Sequence, residues 1–270
     1  MASGFYISFI KYIAFFSGAF KSQISYHLAT VMGFFGSLLL VVIQFFLWSS
    51  LIGSGVRQGI TVNDIIAFVI LTEAVSALTR GNFANELGDS IRDGSVVMHF
   101  LRPVSYQLYL FSVHTGKNVY RLVTQVIPVV ILCALVIGLP PPPDFSHLIV
   151  FMALTLSGVI IMFQLIYITG LLAFWTQATW YLSWYLGAGV TFFGGTVVPL
   201  WFYPRFLERL TVYLPFRYIS FEGINYYLGK ASLENSMFSL CVSFSWVLLL
   251  FLIGQLIWIK AQRKITINGG

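Results

Sequence analysis

The sequence has little charge, and this shortage decides its class. Only 9% of its 270 residues are Asp, Glu, Lys or Arg, while 58% are hydrophobic; soluble domains carry charge on roughly a quarter of their residues. A soluble enzyme and a nucleic-acid-binding domain are therefore excluded. Four stretches lack any charged residue and are long enough to cross a bilayer core of about 30 Å as helices: 22–56, 122–143, 145–204 and 235–259. The sequence thus predicts an all-α, polytopic membrane protein embedded in a lipid bilayer.

The sequence also lacks the motifs of cofactor and nucleotide sites. Its two Gly-Lys pairs, at 116–117 and 229–230, have no Gly five residues before the first Gly and no Ser or Thr after the Lys, so neither forms a phosphate-binding loop. The four histidines are dispersed without metal-ligand spacing. Both cysteines lie in apolar runs and predict no disulfide. We expect no cofactor or metal on this chain and no enzymatic activity of its own.

The hydrophobic stretches divide into six predicted spans within a single domain, 1–270. Residues 4–25 precede them and are typical of a helix lying in the membrane interface, because aromatic residues recur on one face and lysines lie elsewhere. Thr61 and Asp64 have the spacing of a capping box at the start of the second span. The six spans cover approximately residues 31–52, 62–79, 117–138, 148–174, 181–199 and 237–259.

Basic residues set the orientation. Six spans place both termini on one side of the membrane, and that side receives ten of the fifteen Lys and Arg residues. Because Lys and Arg concentrate in cytoplasmic loops, we expect both termini to be cytoplasmic. The pI near 9.3 then follows from basic loops, with no nucleic-acid partner.

Glu73 is an ionisable residue inside the second predicted span. A charge there costs at least about 2.5 kcal/mol on insertion scales unless it is paired or faces water. Two interpretations stay open: a role in gating or substrate contact, or structural pairing with Arg80 near the cytoplasmic end of the span.

The longest polar stretch, 80–106, follows the second span. Residues 85–91 predict a short helix with Leu87, Ile91 and Phe83 on one face, and Gly94 would end it. A short amphipathic helix between two spans is what a membrane subunit needs to dock on a soluble motor domain. An ordinary solvated loop would account for the charges but not for the apolar residues from Val96 to Leu101.

This stretch resembles a known family. The run Ile91-Arg92-Asp93-Gly94, followed by Leu101-Arg102-Pro103, is similar to the "I-x-x-G … L-L-R-P" signature of bacterial ABC transporter permeases in the type-2 exporter superfamily. The closest subgroup has six spans and about 260 residues. Between spans five and six, Gly194-Gly195…Val198-Pro199-Leu200 and Leu214-Pro215-Phe216 match further elements of the family.

The resemblance implies a fold and a set of partners. Residues 80–106 would be a cytoplasmic coupling loop, and 200–236 an extracytoplasmic segment of re-entrant helices between spans five and six. Two copies of a separate ATP-binding subunit would bind ATP and Mg²⁺, and a second permease protomer, identical or related, would complete the complex in the bacterial plasma (inner) membrane. The residues expected to contact the ATP-binding subunit are Asn85, Glu86, Asp89, Ile91, Arg92 and Asp93.

The family's pathway is lined by spans one, two and five of two protomers. Residues that lie where pathway-lining side chains are expected are Glu73, Phe45, Phe46, Phe192 and Phe193; the aromatic ones are alternatively lipid-facing. The implied function is ATP-driven export of a lipophilic or amphipathic substrate from the cytoplasm or the inner leaflet. A membrane-embedded lipid-modifying enzyme and an ATP-independent channel or scaffold are the alternatives from other classes.

Overall fold

A computed structural model of the chain describes residues 2–52, 60–81, 83–100, 104–136, 138–176 and 180–264. Within these ranges the chain is helical and contains no strand, which confirms the all-α prediction. Leu101, Arg102 and Pro103 of the signature lie outside the described residues. The α-helices are α1 (Ala2–Ser22), α2 (His27–Ile52), α3 (Val62–Thr79), α4 (Phe83–Arg92), α5 (Val97–Phe100), α6 (Tyr106–Arg121), α7 (Ile127–Val136), α8 (Phe145–Leu171), α9 (Trp180–Phe193), α10 (Arg205–Thr211), α11 (Phe221–Tyr227) and α12 (Ser236–Gln262).

Short irregular helical turns connect several of these helices. A π-helical turn, Leu122–Val126, joins α6 to α7 and makes one continuous rod. It ends two residues before Pro128, whose ring would clash with the carbonyl of Thr124 in a regular α-helix, and the wider π turn accommodates the proline. Five 3₁₀ turns are described elsewhere: Gln23–Ser25, Leu172–Phe174, Leu200–Phe202, Pro215–Ile219 and Leu233–Asn235.

Five helical stretches among the described residues are long and apolar enough to cross a membrane. Where the fifth of the six predicted spans was expected, at 181–199, α9 has 14 residues. At 1.5 Å per residue it is about 21 Å long, shorter than the bilayer core of about 30 Å. The fifth predicted span, and with it a total of six, therefore stays a prediction. The five stretches are His27–Ser50, Val62–Arg92, Tyr106–Val136, Phe145–Phe174 and Leu233–Gln262.

Two helices have other bounds than the predicted spans, whose positions in the membrane stay predictions. The helix of the third predicted span begins at Tyr106, before Lys117, and Lys117 and Arg121 have partners within the protein: Lys117 Nζ lies 3.6 Å from Glu86 Oε2, and Arg121 Nη1 donates to the Arg80 carbonyl at 3.2 Å. The helix of the fifth predicted span ends at Phe193 and not at 199, because the chain turns at Gly194-Gly195. Gly195 has a φ of +66°, which favours glycine.

The long helix α8 forms the centre of the fold and packs against α4, α11 and α12. Its side chains Leu154, Ile161 and Leu171 are fully buried. α3 is also enclosed, with buried residues on nearly every side. In contrast, α2 has few buried residues and α9 has none among those described. α2 and α9 therefore leave much apolar surface uncovered by the rest of the protein.

The N-terminal helix α1 packs along α6. The rings of Phe15 and Tyr109 meet edge to face at 4.9 Å, and those of Phe20 and Tyr120 at 5.3 Å. The helices approach so closely that a Cβ added to Gly116 would lie 2.4 Å from the Phe16 carbonyl oxygen. The predicted helix is thus present, and its placement in the membrane interface stays a prediction.

The segment between α9 and α12 consists of short helices packed on α8. A buried ion pair holds it together: Arg217 Nε donates to Glu222 Oε2 at 2.6 Å, and Ser239 Oγ of α12 donates to Glu222 Oε1 at 2.7 Å. A second ion pair, Lys230 Nζ to Asp64 Oδ2 at 2.7 Å, ties the end of the segment to the start of α3. Its re-entry into the membrane stays a prediction.

Candidate functional site

The helix α4 forms where residues 85–91 predicted one, because its apolar and polar residues separate onto two faces. Phe83, Ala84 and Leu87 are buried, whereas Glu86 and Asp89 are exposed. This division follows from helical periodicity, in which residues three or four apart share a face. α4 presents a polar face outward and an apolar face to the rest of the protein.

The end of α4 is fixed by a compact turn. Gly94 has a φ of +77°, as its predicted role at the helix end requires. The Asp93 carboxylate accepts a hydrogen bond from the Ser95 backbone N–H at 2.9 Å. The side chain and backbone N–H of Ser95 together hold the pKa of Asp93 below its usual value, so this carboxylate is ionised at neutral pH.

Three helices hold α4 in place. A Cβ on Gly170 of α8 would lie 2.7 Å from Leu87 Cδ2, so α4 sits directly on the backbone of α8. Ser183 Oγ of α9 donates to Asn85 Oδ1 at 3.1 Å. Lys117 of α6 faces Glu86 across 3.6 Å. α4 therefore contacts α6, α8 and α9.

The six residues expected to contact an ATP-binding subunit fall into two groups. Four side chains are exposed: Glu86, Asp89, Arg92 and Asp93. The other two are partly buried, because Asn85 bonds to Ser183 and Ile91 packs against the buried cluster around Phe83. Arg92 pairs with Asp89 within α4. Contact of these residues with a partner stays a prediction.

Glu73 lies between α2 and the end of α3 and has two partners. Its Oε1 accepts a hydrogen bond from Ser37 Oγ at 2.8 Å, and Arg80 Nη2 lies 3.3 Å from Oε1 and 3.4 Å from Oε2. The Glu73 side chain is 11% exposed and that of Arg80 48%. The structural pairing with Arg80 is therefore present, through contacts that are long for a charge-assisted hydrogen bond.

The Glu73 carboxylate also lines a cavity of about 200 Å³. Residues of α2, of α3 and of the turn after α9 form its wall: Leu40, Val41, Gln44, Val69, Thr72, Glu73, Ser76, Arg80, Thr196 and Val197. The uncharged lining residues were missed by sequence reasoning, because a Thr, Ser or Gln in an apolar helix carries no motif. Among the lining residues, only Glu73 and Arg80 could be noticed in the sequence, because they are charged.

The four candidate phenylalanines do not line this cavity. Phe46 is exposed, and Phe45 packs beside it with ring centroids 5.4 Å apart. Phe192 lines a separate groove of about 620 Å³ along α9, together with Trp184 and Tyr203. Phe193 stacks on Phe216 at 6.0 Å. The described chain therefore does not bring Glu73 and these aromatic side chains together in one site.

A metal centre finds no support in the geometry. In the part of the chain that the structure describes, no three His, Cys, Asp or Glu side chains converge on a point where an ion could bind. His114, for example, is buried, and its Nε2 lies 3.0 Å from Asn118 Nδ2, one turn further along α6.

Comparison with known proteins identifies the family. A family model described as "ABC-2 family transporter protein" matches residues 38–269, which is most of the chain and includes α4, Glu73 and Arg80. Searches of curated proteins and of solved structures gave no match. Members of this family normally pair with an ABC ATP-binding subunit. The match confirms the resemblance of the 80–106 stretch and agrees with the apolar helices. The chain belongs to the ABC-2 transporter family and is a multi-pass membrane protein, the permease component of an ABC transporter.

Proposed function

We propose that this permease is the membrane-spanning subunit of an exporter driven by ATP hydrolysis on separate subunits, with α4 as the contact that receives the force. The observation that carries the proposal is the division of α4 into an exposed polar face and a buried face seated on α8. Family membership supplies the partner class, since ABC-2 permeases normally pair with an ATP-binding subunit.

The position of α4 suits the transmission of force. Three residues, 80–82, separate it from α3, and it contacts α6, α8 and α9. A rigid helix that is packed on three others moves them when it is pushed, because close-packed interiors transmit strain. Closure of two ATP-binding subunits would therefore tilt α3 and the helices around the Glu73 cavity.

The complex would contain two permease protomers. The exposed apolar surfaces of α2 and α9 support this, because Phe46 is 67% exposed and Trp184 is 70% exposed. Large uncovered apolar patches mark contacts with lipid or with another protein. In this arrangement α9 is the fifth of six spans, and the 200–236 segment re-enters the membrane from the outer side. Both termini lie on the cytoplasmic side of the bacterial inner membrane. The substrate is lipophilic or amphipathic.

Charge reversal on the exposed face of α4 tests the proposal. Asp89→Lys combined with Arg92→Glu reverses both charges of an exposed pair on α4 while the two side chains can still pair, and it leaves the hydrogen bond from the Ser95 N–H to Asp93 intact. The matched control is Glu234→Lys, which is exposed at the opposite end of the molecule. We expect the α4 variant to lose co-purification with its ATP-binding subunit while its yield and thermal unfolding midpoint stay unchanged.

The control variant should retain the subunit. If the doubly reversed α4 variant binds the ATP-binding subunit and supports its ATPase activity as the unmodified permease does, α4 is not the docking element. Purified alone, the permease should show no ATPase activity. Measured ATP hydrolysis by the permease alone would contradict the assignment of hydrolysis to separate subunits.

A further inference from the structure

A further cavity lies where the end of α3, the start of α4 and one face of α6 meet. Its volume is about 180 Å³, which corresponds to about six water molecules at about 30 Å³ each. A small ionic group fits this space, whereas pockets for whole drug-sized ligands run from about 300 to 1,000 Å³. We call it the basic pocket, and its polar lining residues are Arg80, Glu86, His114, Lys117, Asn118 and Arg121.

The length of α3 sets the level of the basic pocket in a membrane. α3 has 18 residues, so it is about 27 Å long at 1.5 Å per residue and nearly matches a bilayer core of about 30 Å. Asp64 pairs with Lys230 near one end of α3, and Arg80 follows directly after the other end. Charged side chains at the ends of an apolar helix lie outside the hydrocarbon. In a bilayer that α3 crosses, the pocket around Arg80 is therefore at the level of the lipid headgroups.

Cations outnumber carboxylates around the basic pocket. Arg80, Lys117 and Arg121 line it with three positive charges. Glu86 faces Lys117 Nζ across 3.6 Å, and Glu73 lies 3.3 Å from Arg80 Nη2. These two carboxylates offset two of the charges, which leaves one positive charge even with the pocket histidine uncharged.

Arg121 carries the charge that has no close counter-charge. Its Nη1 donates to the Asn118 side-chain oxygen at 3.0 Å and to the Arg80 carbonyl at 3.2 Å, and both acceptors are uncharged. Glu73 acts on it only at longer range, because that carboxylate is bonded to Arg80 and Ser37. The Nε and Nη2 donors of Arg121 have no hydrogen-bond partner in the part of the chain that the structure describes, and they are not fully buried.

The bonds from Nη1 also give Arg121 a structural role. The Asn118 amide donates to the Leu78 carbonyl at 2.7 Å, so Asn118 and Arg121 together satisfy carbonyls at the end of α3. The C-terminus of a helix carries roughly half a negative charge, which offsets only part of the charge on Arg121. Capping of α3 therefore leaves an electropositive group on the pocket wall, with its Nε and Nη2 donors available to a ligand.

A phosphate group that carries one negative charge matches this wall. Arginine pairs with two phosphate oxygens at once, and lysine supplies a further point charge. The phosphodiester of a phospholipid has one negative charge and lies just outside the hydrocarbon core, at the level of Arg80. A zwitterionic headgroup would add a cation beside Arg80 and Lys117, so an anionic headgroup such as phosphoglycerol is favoured. Basic pockets between membrane helices bind anionic lipid headgroups in this way.

We propose that the basic pocket binds the phosphodiester of an anionic lipid, with Arg121 as its main contact and Arg80 and Lys117 as further cations. The bound phosphate joins α6 to the segment between α3 and α4. The proposal goes beyond the proposed function: it requires α3 to cross the bilayer, and it requires no ATP-binding subunit.

Photocrosslinking to the isolated permease tests the basic pocket. The protein is reconstituted in phosphatidylcholine nanodiscs with one of two probes, a phosphatidylglycerol or a phosphatidylcholine, which carry the same diazirine beside the glycerol backbone. Mass spectrometry of the digested protein locates the adducts. We expect the phosphatidylglycerol probe to label peptides that contain residues 80–86 or 110–121 about fivefold more than the phosphatidylcholine probe does, the worth of one basic residue at a membrane surface. High salt should reduce this preference.

Glu86 and Lys117 provide a matched pair of variants. Glu86→Gln removes a negative charge and Lys117→Gln a positive one, and each breaks the same partly exposed contact. Labelling by the phosphatidylglycerol probe should rise in Glu86→Gln and fall in Lys117→Gln, each by about fivefold. A contact with a purely structural role would instead change the labelling of both variants in the same direction.

The main contact is tested by Arg121→Gln, which should remove the preference for the phosphatidylglycerol probe. Arg205→Gln makes the same exchange at an exposed arginine of α10 and should leave the preference unchanged. Because Arg121 also caps α3, the Glu86 and Lys117 variants decide the outcome where Arg121→Gln fails to fold.

Inorganic phosphate distinguishes a lipid headgroup from a free anion. Millimolar phosphate, compared with chloride at equal ionic strength, should leave the labelling unchanged, because the bilayer holds the lipid at a high local concentration. Displacement of the probe by phosphate would overturn the assignment to a lipid.

Two further results would overturn the proposal. Equal labelling by the two lipid probes would exclude the anionic lipid and point to an acidic side chain of a protein partner. Effects of Glu86→Gln and Lys117→Gln in the same direction would show that the charge of the pocket does not govern binding. Neither result affects the proposed function, which depends on the contact between α4 and the ATP-binding subunit.

Discussion

The seat of α4 on α8 can be tested by one added methyl group. In Gly170→Ala, the new Cβ would lie 2.7 Å from Leu87 Cδ2 and 3.2 Å from Ala84 Cα. Carbon atoms in contact prefer about 3.5–4.0 Å, so the backbone of α4 must retreat by about 0.3–0.8 Å at Ala84. Overpacking of this kind typically costs about 1–3 kcal/mol.

The higher helix propensity of alanine stabilises Gly170→Ala and opposes the cost of overpacking, so the experiment needs a control for propensity. Alanine is favoured over glycine inside a helix by up to about 1 kcal/mol. Gly187 lies in α9, and a Cβ there would meet nothing within 4 Å, so Gly187→Ala reports the propensity alone. We expect Gly170→Ala to be less stable than Gly187→Ala by about 1–3 kcal/mol, measured by reversible denaturant unfolding in detergent micelles.

A second substitution identifies the clash. Leu87→Ala alone leaves a cavity and should cost about 2–5 kcal/mol. In combination with Gly170→Ala it removes the nearest of three contacts and leaves those to Ala84 Cα and to the Cβ of residue 87, both at 3.2 Å. The double variant should therefore be more stable than the sum of the single effects by about 0.5–3 kcal/mol. Equal stability of the two glycine variants, together with strict additivity of Leu87 and Gly170, would refute the tight packing of α4 on α8.

Three further predictions follow from two ion pairs and a helix cap. Glu222→Gln leaves the Arg217 guanidinium buried without its counter-charge and should destabilise the protein by about 3–5 kcal/mol. The double variant Arg217→Met with Glu222→Leu should be destabilised less, because no unpaired charge remains buried. Chemical unfolding of both variants measures the difference in the free energy of unfolding. Lys230→Met breaks the partly exposed contact with Asp64 and should cost no more than about 1 kcal/mol, a difference that 1 M salt reduces. Asp144→Ala removes the carboxylate that accepts from the His147 backbone N–H at 2.9 Å and should lower the thermal unfolding midpoint at pH 7. Hydrogen bonds from the backbone and side chain of His147 hold the pKa of Asp144 below its usual 3.8; the stability it adds is complete above that value and lost as the pH falls through the lowered pKa, so both midpoints should converge in acid.

Each of these three predictions would be contradicted by a specific result. A Glu222→Gln protein as stable as the unmodified one would mean that Arg217 is solvated. A loss for Lys230→Met that persists at high salt would assign its effect to packing of the alkyl stem. Midpoints of Asp144→Ala that stay apart below the lowered pKa would show that the carboxylate does not act as a helix cap.

Local patterns predicted much of the helical structure. The period of Phe83, Leu87 and Ile91 gave α4, and Gly94 ends it with the positive φ that glycine tolerates. The capping box is confirmed as well, since the Asp64 backbone N–H donates to Thr61 Oγ1 and the Thr61 N–H donates to the Asp64 carboxylate. These features depend only on neighbours within a few residues, which a sequence displays directly.

Features that depend on distant partners were missed. The start of α6 at Tyr106 was not predicted, because the charges of Lys117 and Arg121 are matched by Glu86 and by the carbonyl of Arg80, which lie far away in sequence. The same holds for the cavity: Glu73 was visible as a charge in an apolar run, but the residues that line the cavity with it come from three separate parts of the chain.

The most direct test of the central claim is a crosslink from α4 to the motor subunit. A photoreactive p-benzoylphenylalanine is placed at Asp89 on the exposed face of α4, and a control at Met237, which is 70% exposed at the start of α12. In membranes that contain the ATP-binding subunit, the account predicts a covalent adduct with that subunit from position 89 and none from position 237. Absence of the adduct at 89 in a complex that hydrolyses ATP and contains both subunits would contradict α4 as the coupling element.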